Sequence, residues 1–166
     1  MYLRDPAATT TSTAASFAQR NYTIDPEAAW SRLIEVQGFG QRFIDASGAT
    51  VGTVAIRATQ VTRWITFTVT KAALGGTPSA GWSFAVVLTG QDGFSSDQAR
   101  GFQRQSEDYQ FGVCTPEADA GGNPICAVNP STVPKAMDIL TPEGTTQADV
   151  LNPLDPPVVI PAVTIP

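Results

Sequence analysis

Three tryptophans, Trp30, Trp64 and Trp82, offer the flat faces on which sugar rings stack, and they are the side chains here whose chemistry points most directly to a ligand. Gln91 and Asp92 join them as candidate carbohydrate contacts, because they sit between Gly90 and Gly93 in a polar loop that follows directly on an apolar, strand-like run over 81–89. Asp92 and Asp97 flank Gly-Phe-Ser-Ser, and two carboxylates supplemented by backbone carbonyls could hold calcium. Against that stands a plainer reading, in which Asp92 caps a turn and Asp97 opens a short helix. Cys114 and Cys126 bracket a turn-rich insert and are expected to close it as a disulfide. Two cysteines alone do not make a structural zinc site.

What the chain lacks narrows the chemistry further. With no histidine, it has neither the commonest general base nor the commonest metal ligand, which excludes Ser-His-Asp and Cys-His hydrolases and histidine-ligated zinc or copper. A glycosidase-type carboxylate pair would have to face across a cleft, and no motif places two of the fifteen Asp and Glu residues so. No catalytic residue is assigned and no enzyme activity is expected; calcium is the one cofactor considered. The net charge of −5, with ten scattered Lys and Arg, argues against nucleic-acid partners. No apolar run approaches the ~20 residues of a membrane span. The first six residues carry no hydrophobic signal core, so an export signal would lie upstream or have been removed.

The elements that must position these residues read as short strands. Trp82, Phe84, Val86 and Leu88 alternate with Ser83, Ala85, Val87 and Thr89, so both faces are largely apolar and a central strand covered on two sides is expected. Residues 51–58 and 64–69 alternate as an antiparallel pair, each half-buried, with Trp64 on the polar-facing parity beside Thr66 and Thr68. Residues 30–36 form another strand, Asp45 to Gly48 a turn, and Lys71 to Leu74 one helical turn ended by Gly75 and Gly76. Ten of the thirteen prolines fall after Cys114, which makes the last third extended or loop-like. Residues 1–20, rich in Thr and Ala, read as an extended arm or linker, and 21–166 as a single module. The fold class that results is all-β, an antiparallel β-sandwich of immunoglobulin or jelly-roll type with long Pro-rich loops and one or two helical turns.

The blocks 81–94, Tyr109-Gln-Phe-Gly112, 134–144, 147–151 and 158–165 resemble the C-terminal binding module of glucodextranase and of several amylopullulanases, a surface-layer-homology-like member of the sugar-binding β-sandwiches. The resemblance implies a non-catalytic extracellular or cell-surface module that binds polysaccharide or a cell-wall polymer and is attached to a secreted glycoside hydrolase or surface protein. Members of that family usually carry further N-terminal strands, which implies a sandwich incomplete on that side. The alternative is therefore a structural subunit of a surface layer, fibre or envelope complex, with other protein chains completing the sheet edge by strand addition.

Overall fold

A computed structural model describes residues 1–38 and 40–166. Among the described residues fourteen short strands follow one another: β1 (Tyr2–Arg4), β2 (Thr23–Ile24), β3 (Arg32–Gln37), β4 (Gly40–Asp45), β5 (Thr50–Gly52), β6 (Ala55–Thr59), β7 (Trp64–Thr68), β8 (Ser83–Ala85), β9 (Val87–Leu88), β10 (Phe102–Gln103), β11 (Phe111–Gly112), β12 (Asp138–Ile139), β13 (Val159–Ile160) and β14 (Val163–Thr164). Three short α-helices, α1 (Lys71–Leu74), α2 (Pro116–Ala120) and α3 (Gln147–Val150), and four 3₁₀ turns lie between the described strands. Each α-helix is opened by a threonine, Thr70, Thr115 or Thr146, whose side chain accepts from a backbone amide three residues on. The fold is all-β. Its main sheet is six-stranded, in the order β14-β8-β1-β3-β4-β5, and every pairing in it is antiparallel.

Each face of this sheet has its own core. On β3, Leu33 packs into a cluster with Tyr2, Tyr22, Ile24, Trp30, Ala85, Val158 and Ile160. Ile34, one residue on, packs on the opposite face with Leu3, Phe43 and Val54. The first cluster is covered by the segment before β3 and by the C-terminal strands; β13 runs parallel to β2, and β12 pairs with β9. Phe67, Val69, Ala73 and Leu74 of the β6–β7 hairpin and α1 cover the second. A sheet lined with apolar side chains on both faces has to be covered twice, and the chain supplies both layers from its own length.

Three expectations need correction. The 1–20 segment is not a free arm: β1 lies inside the sheet between β3 and β8, with Tyr2 and Leu3 buried, and residues 12 and 14 bridge to Trp30 and Thr23. β1, ahead of the Thr-rich stretch at 9–13, is a three-residue strand too short to show periodicity. The β6–β7 hairpin forms as the pairing predicted, Ala55 to Thr68 through Thr59 to Trp64, but it is largely exposed rather than half-buried. Only its base, at Phe67, packs against the body. Alternation reveals which face of a ribbon is apolar, and not whether anything covers it. The insert between the cysteines is not a plain turn: Thr115-Pro-Glu caps and starts α2, and a 3₁₀ turn follows over Pro124–Ala127. The Cys114–Cys126 disulfide closes that loop.

Candidate functional site

The three tryptophans have separate fates. Trp30 and Trp82 are 5% and 4% exposed, so neither ring presents a face to a sugar. Trp30 packs against Tyr2, and its indole N–H donates to the Ala14 carbonyl at 2.8 Å, which anchors the N-terminal segment. Trp64 is 71% exposed. It starts β7 opposite Thr59, and by the register of the hairpin it shares a face with Arg57 and Thr66, a bare ring among polar neighbours.

A second exposed aromatic surface escaped the sequence reading. Phe94 and Tyr109 stand 67% and 58% exposed and meet edge to face, with ring centroids 6.0 Å apart. Phe94 follows Gly93 in the loop after β9, and Tyr109 sits in a left-handed turn at φ 62° just before β11. They lie fifteen positions apart in sequence, and no local pattern pairs them. Exposed aromatics on polar loops were the only available signal.

The acidic loop is held by its own hydrogen bonds. Asp92 Oδ1 accepts from the backbone amides of Phe94 and Ser95, both at 3.2 Å, and so caps the turn. Burial disfavours its charge, but the hydrogen bonds from Ser95 and Phe94 outweigh this and hold the carboxyl below its ordinary range. Asp97 is 1% exposed and opens no helix; its Oδ2 accepts from Lys135 Nζ at 3.0 Å and its Oδ1 from Ser95 Oγ at 2.8 Å. Both carboxylates thus accept from protein donors, Asp92 through Oδ1 and Asp97 through both oxygens. Cys114, Asp119 and Cys126 come within ligand distance of one another, but both sulfurs are in the disulfide and cannot bind a metal.

Asp97 belongs to a longer chain of charges. Arg20, nearly buried, donates to Glu35 Oε1 at 2.6 Å and to the Asp97 carbonyl at 2.7 Å, and Arg42 donates to Glu35 Oε2 at 2.7 Å. The sequence Arg42, Glu35, Arg20, Asp97, Lys135 thereby alternates in sign across the molecule. Burial disfavours the Arg20 charge, but Glu35 and the two tyrosines Tyr22 and Tyr2 raise its pKa. Gln91 lies at the margin of this network, half-buried, with its Oε1 accepting from the Gly38 amide at 3.2 Å. It is a bridge between β9 and β3 and less the exposed corner that its loop suggested.

Beside it, Tyr2, Leu33–Gln37, Ile65, Phe67 and Val86–Thr89 line a cleft of about 320 Å³ together with Ser16, Arg20, Gln91 and Gln98. No helix among the described residues is long and apolar enough to cross a membrane.

A search of curated proteins finds no match to the chain. The family described as the C-terminal binding module, SLH-like, of glucodextranase matches residues 1–166, the whole length. The match takes in the N-terminal strand β1, and it agrees with an all-β body. The chain belongs to the family of SLH-like C-terminal binding modules of glucodextranase.

Proposed function

We propose that the protein is a non-catalytic module that binds polysaccharide at or outside the cell surface and holds an attached glycoside hydrolase or surface protein near its polymer. Membership of a binding-module family over the full chain carries this reading. Two exposed aromatic platforms support it, Trp64 on the β6–β7 ribbon and the Phe94–Tyr109 pair on the loops after β9 and before β11. Sugar rings stack on such faces through their C–H groups, while Arg57, Thr59 and Thr66, on the Trp64 face of the ribbon, supply hydrogen bonds.

Affinity electrophoresis through gels cast with soluble α-glucans, and sedimentation with purified cell-wall polysaccharide, test it directly. Retardation by one polymer is expected, and Trp64→Ala or the Phe94→Ala/Tyr109→Ala pair should weaken it about three- to tenfold. A protein that migrates identically in every gel and stays in every supernatant sinks the reading.

One feature favours assembly between chains instead. The β6–β7 ribbon is a separate two-stranded sheet with Ile56, Val61 and Ile65 exposed, and a ribbon with open edges is a template for strand addition. On that reading light scattering during size-exclusion chromatography returns a defined oligomer that no glycan alters. A monomer at all concentrations rejects it.

A further inference from the structure

Charge is divided unevenly along this chain. All fifteen Asp and Glu lie outside residues 46–91, so that stretch carries three cations, Arg57, Arg63 and Lys71, and no anion in a chain whose overall charge is −5. The three are exposed and unengaged. Of the ten Lys and Arg side chains, seven donate to an acceptor elsewhere in the chain, and among the described residues Arg57, Arg63 and Lys71 donate to none. No carboxylate among the described residues comes within 4.0 Å of them.

The β6–β7 ribbon puts two of these cations beside its exposed indole. Phe67 packs into the second core, and Ile56, Ala58 and Ile65 share its face, so Arg57, Thr59, Trp64 and Thr66 lie on the opposite face, away from the body. Arg57 pairs with Thr66 and Thr59 with Trp64, which makes Arg57 a diagonal neighbour of Trp64, at about 7–8 Å and within reach of a long side chain. Arg63 directly precedes Trp64 at the ribbon's tip, in a left-handed turn at φ 57°. Trp64 itself is 71% exposed.

An exposed indole flanked by unpaired guanidinium groups sets two conditions on a ligand. The ring takes a flat face of C–H groups. The guanidinium forks take an anion, and a carboxylate matches their geometry bidentately. A uronic acid meets both conditions in one residue, because its carboxylate is carried on the pyranose ring itself, whereas a neutral glucan leaves the cations without a partner. Single-stranded nucleic acid also joins rings to anions, but its binding calls for a basic groove that follows the backbone. Beyond this ribbon the chain is acidic and repels a polyanion, which confines an acidic chain to the ribbon and sets where it lands.

We propose that the Trp64 face of the β6–β7 ribbon binds a polysaccharide containing uronic acid, with a sugar ring on the indole and carboxylates on Arg57 and Arg63. The assignment rests on the carbohydrate reading above and adds to it the charge class of the polymer.

Tetramers of galacturonate, mannuronate and glucuronate, each paired with its neutral methyl ester, separate charge from ring shape. Trp30 and Trp82 are buried, so a change in tryptophan fluorescence during titration reports on Trp64. One acid should bind about three- to tenfold more tightly than its ester, and should weaken as salt rises from about 0.05 to 0.5 M. By calorimetry, Arg57→Gln should weaken that acid about two- to fivefold, and so should Arg63→Asn, whose new side chain tolerates the left-handed turn. Neither variant removes a contact within the protein, so the urea midpoint should stay where it is. If acid and ester bind alike, or both arginine variants are silent, the charged site fails and the carbohydrate module stands. A thymidine oligonucleotide that binds as tightly as the best acid overturns the assignment in favour of an unselective anion site. If an α-glucan or cell-wall polysaccharide binds while no uronate does, the uronate assignment alone is lost; silence from every saccharide removes the module reading with it.

Discussion

Asp97 shows what a single buried carboxylate does here. It ties the loop after β9 to Lys135 and, through Arg20, to β3, so Asp97→Asn would leave two buried cations short of their partner. A loss of about 3–5 kcal/mol in urea-determined stability is expected. Burial opposes its charge, yet the bonds from Lys135 and Ser95 prevail and its pKa lies below the usual carboxylate value. A lowered folded pKa gives stability that is complete above the unfolded value of ~3.9 and drains away as pH falls through the folded one. Acid titration of the wild type should therefore show a loss below about pH 4 that Asp97→Asn lacks; an unchanged acid limb in the variant refutes this. The tryptophans make a second residue-scale contrast. Trp30→Ala should cost about 3–5 kcal/mol by emptying a core site and freeing the Ala14 carbonyl, whereas Trp64→Ala should stay within about 0.5 kcal/mol of wild type. Strand parity made the exposure of Trp64 legible in advance. The engagement of Asp97 was not, because Lys135 is remote in sequence and nothing local signals the pair.

Among the elements, the junction of β5 with α1 is the tightest. A Cβ on Gly52 would stand 2.7 Å from the Ala73 Cβ and 3.3 Å from the Phe43 ring, so Gly52→Val should destabilise by about 1–3 kcal/mol, as thermal melts would show. A variant as stable as wild type would mean that α1 is free to lift away from the sheet. The disulfide acts on a different element. It closes a loop of twelve residues' separation around α2, and a Cys114→Ser/Cys126→Ser pair should lose about 3 kcal/mol in the chain-entropy account. Short capped turns such as α1 were readable from Thr70 and the Gly75-Gly76 stop, since cap chemistry is local. β1 was not readable, since a strand of three residues is defined by its neighbours in the sheet and not by its own pattern.

For the whole molecule, the decisive feature is one sheet shared by two cores. Tyr2, Leu33 and Ala85 serve the first cluster while Leu3, Ile34 and Phe84 serve the second, from the same three strands, so disruption of any of these strands exposes both. Unfolding by urea should then be a single transition, coincident by tryptophan fluorescence and far-ultraviolet circular dichroism. Two separated transitions would show that the β6–β7 layer melts independently.

The sequence by itself determined the all-β class, the pairing of β6 with β7, the disulfide and the absence of histidine chemistry, and its blocks already pointed to a binding-module family. Each of these depends on residue type or on periodicity over a few neighbours, which one dimension contains. Only the tertiary structure decided that Trp30 and Trp82 are buried, that Phe94 meets Tyr109, and that Asp97 is neutralised by Lys135. Those outcomes rest on contacts between distant segments, whose energies are set by what happens to lie opposite each side chain once the sheet has closed.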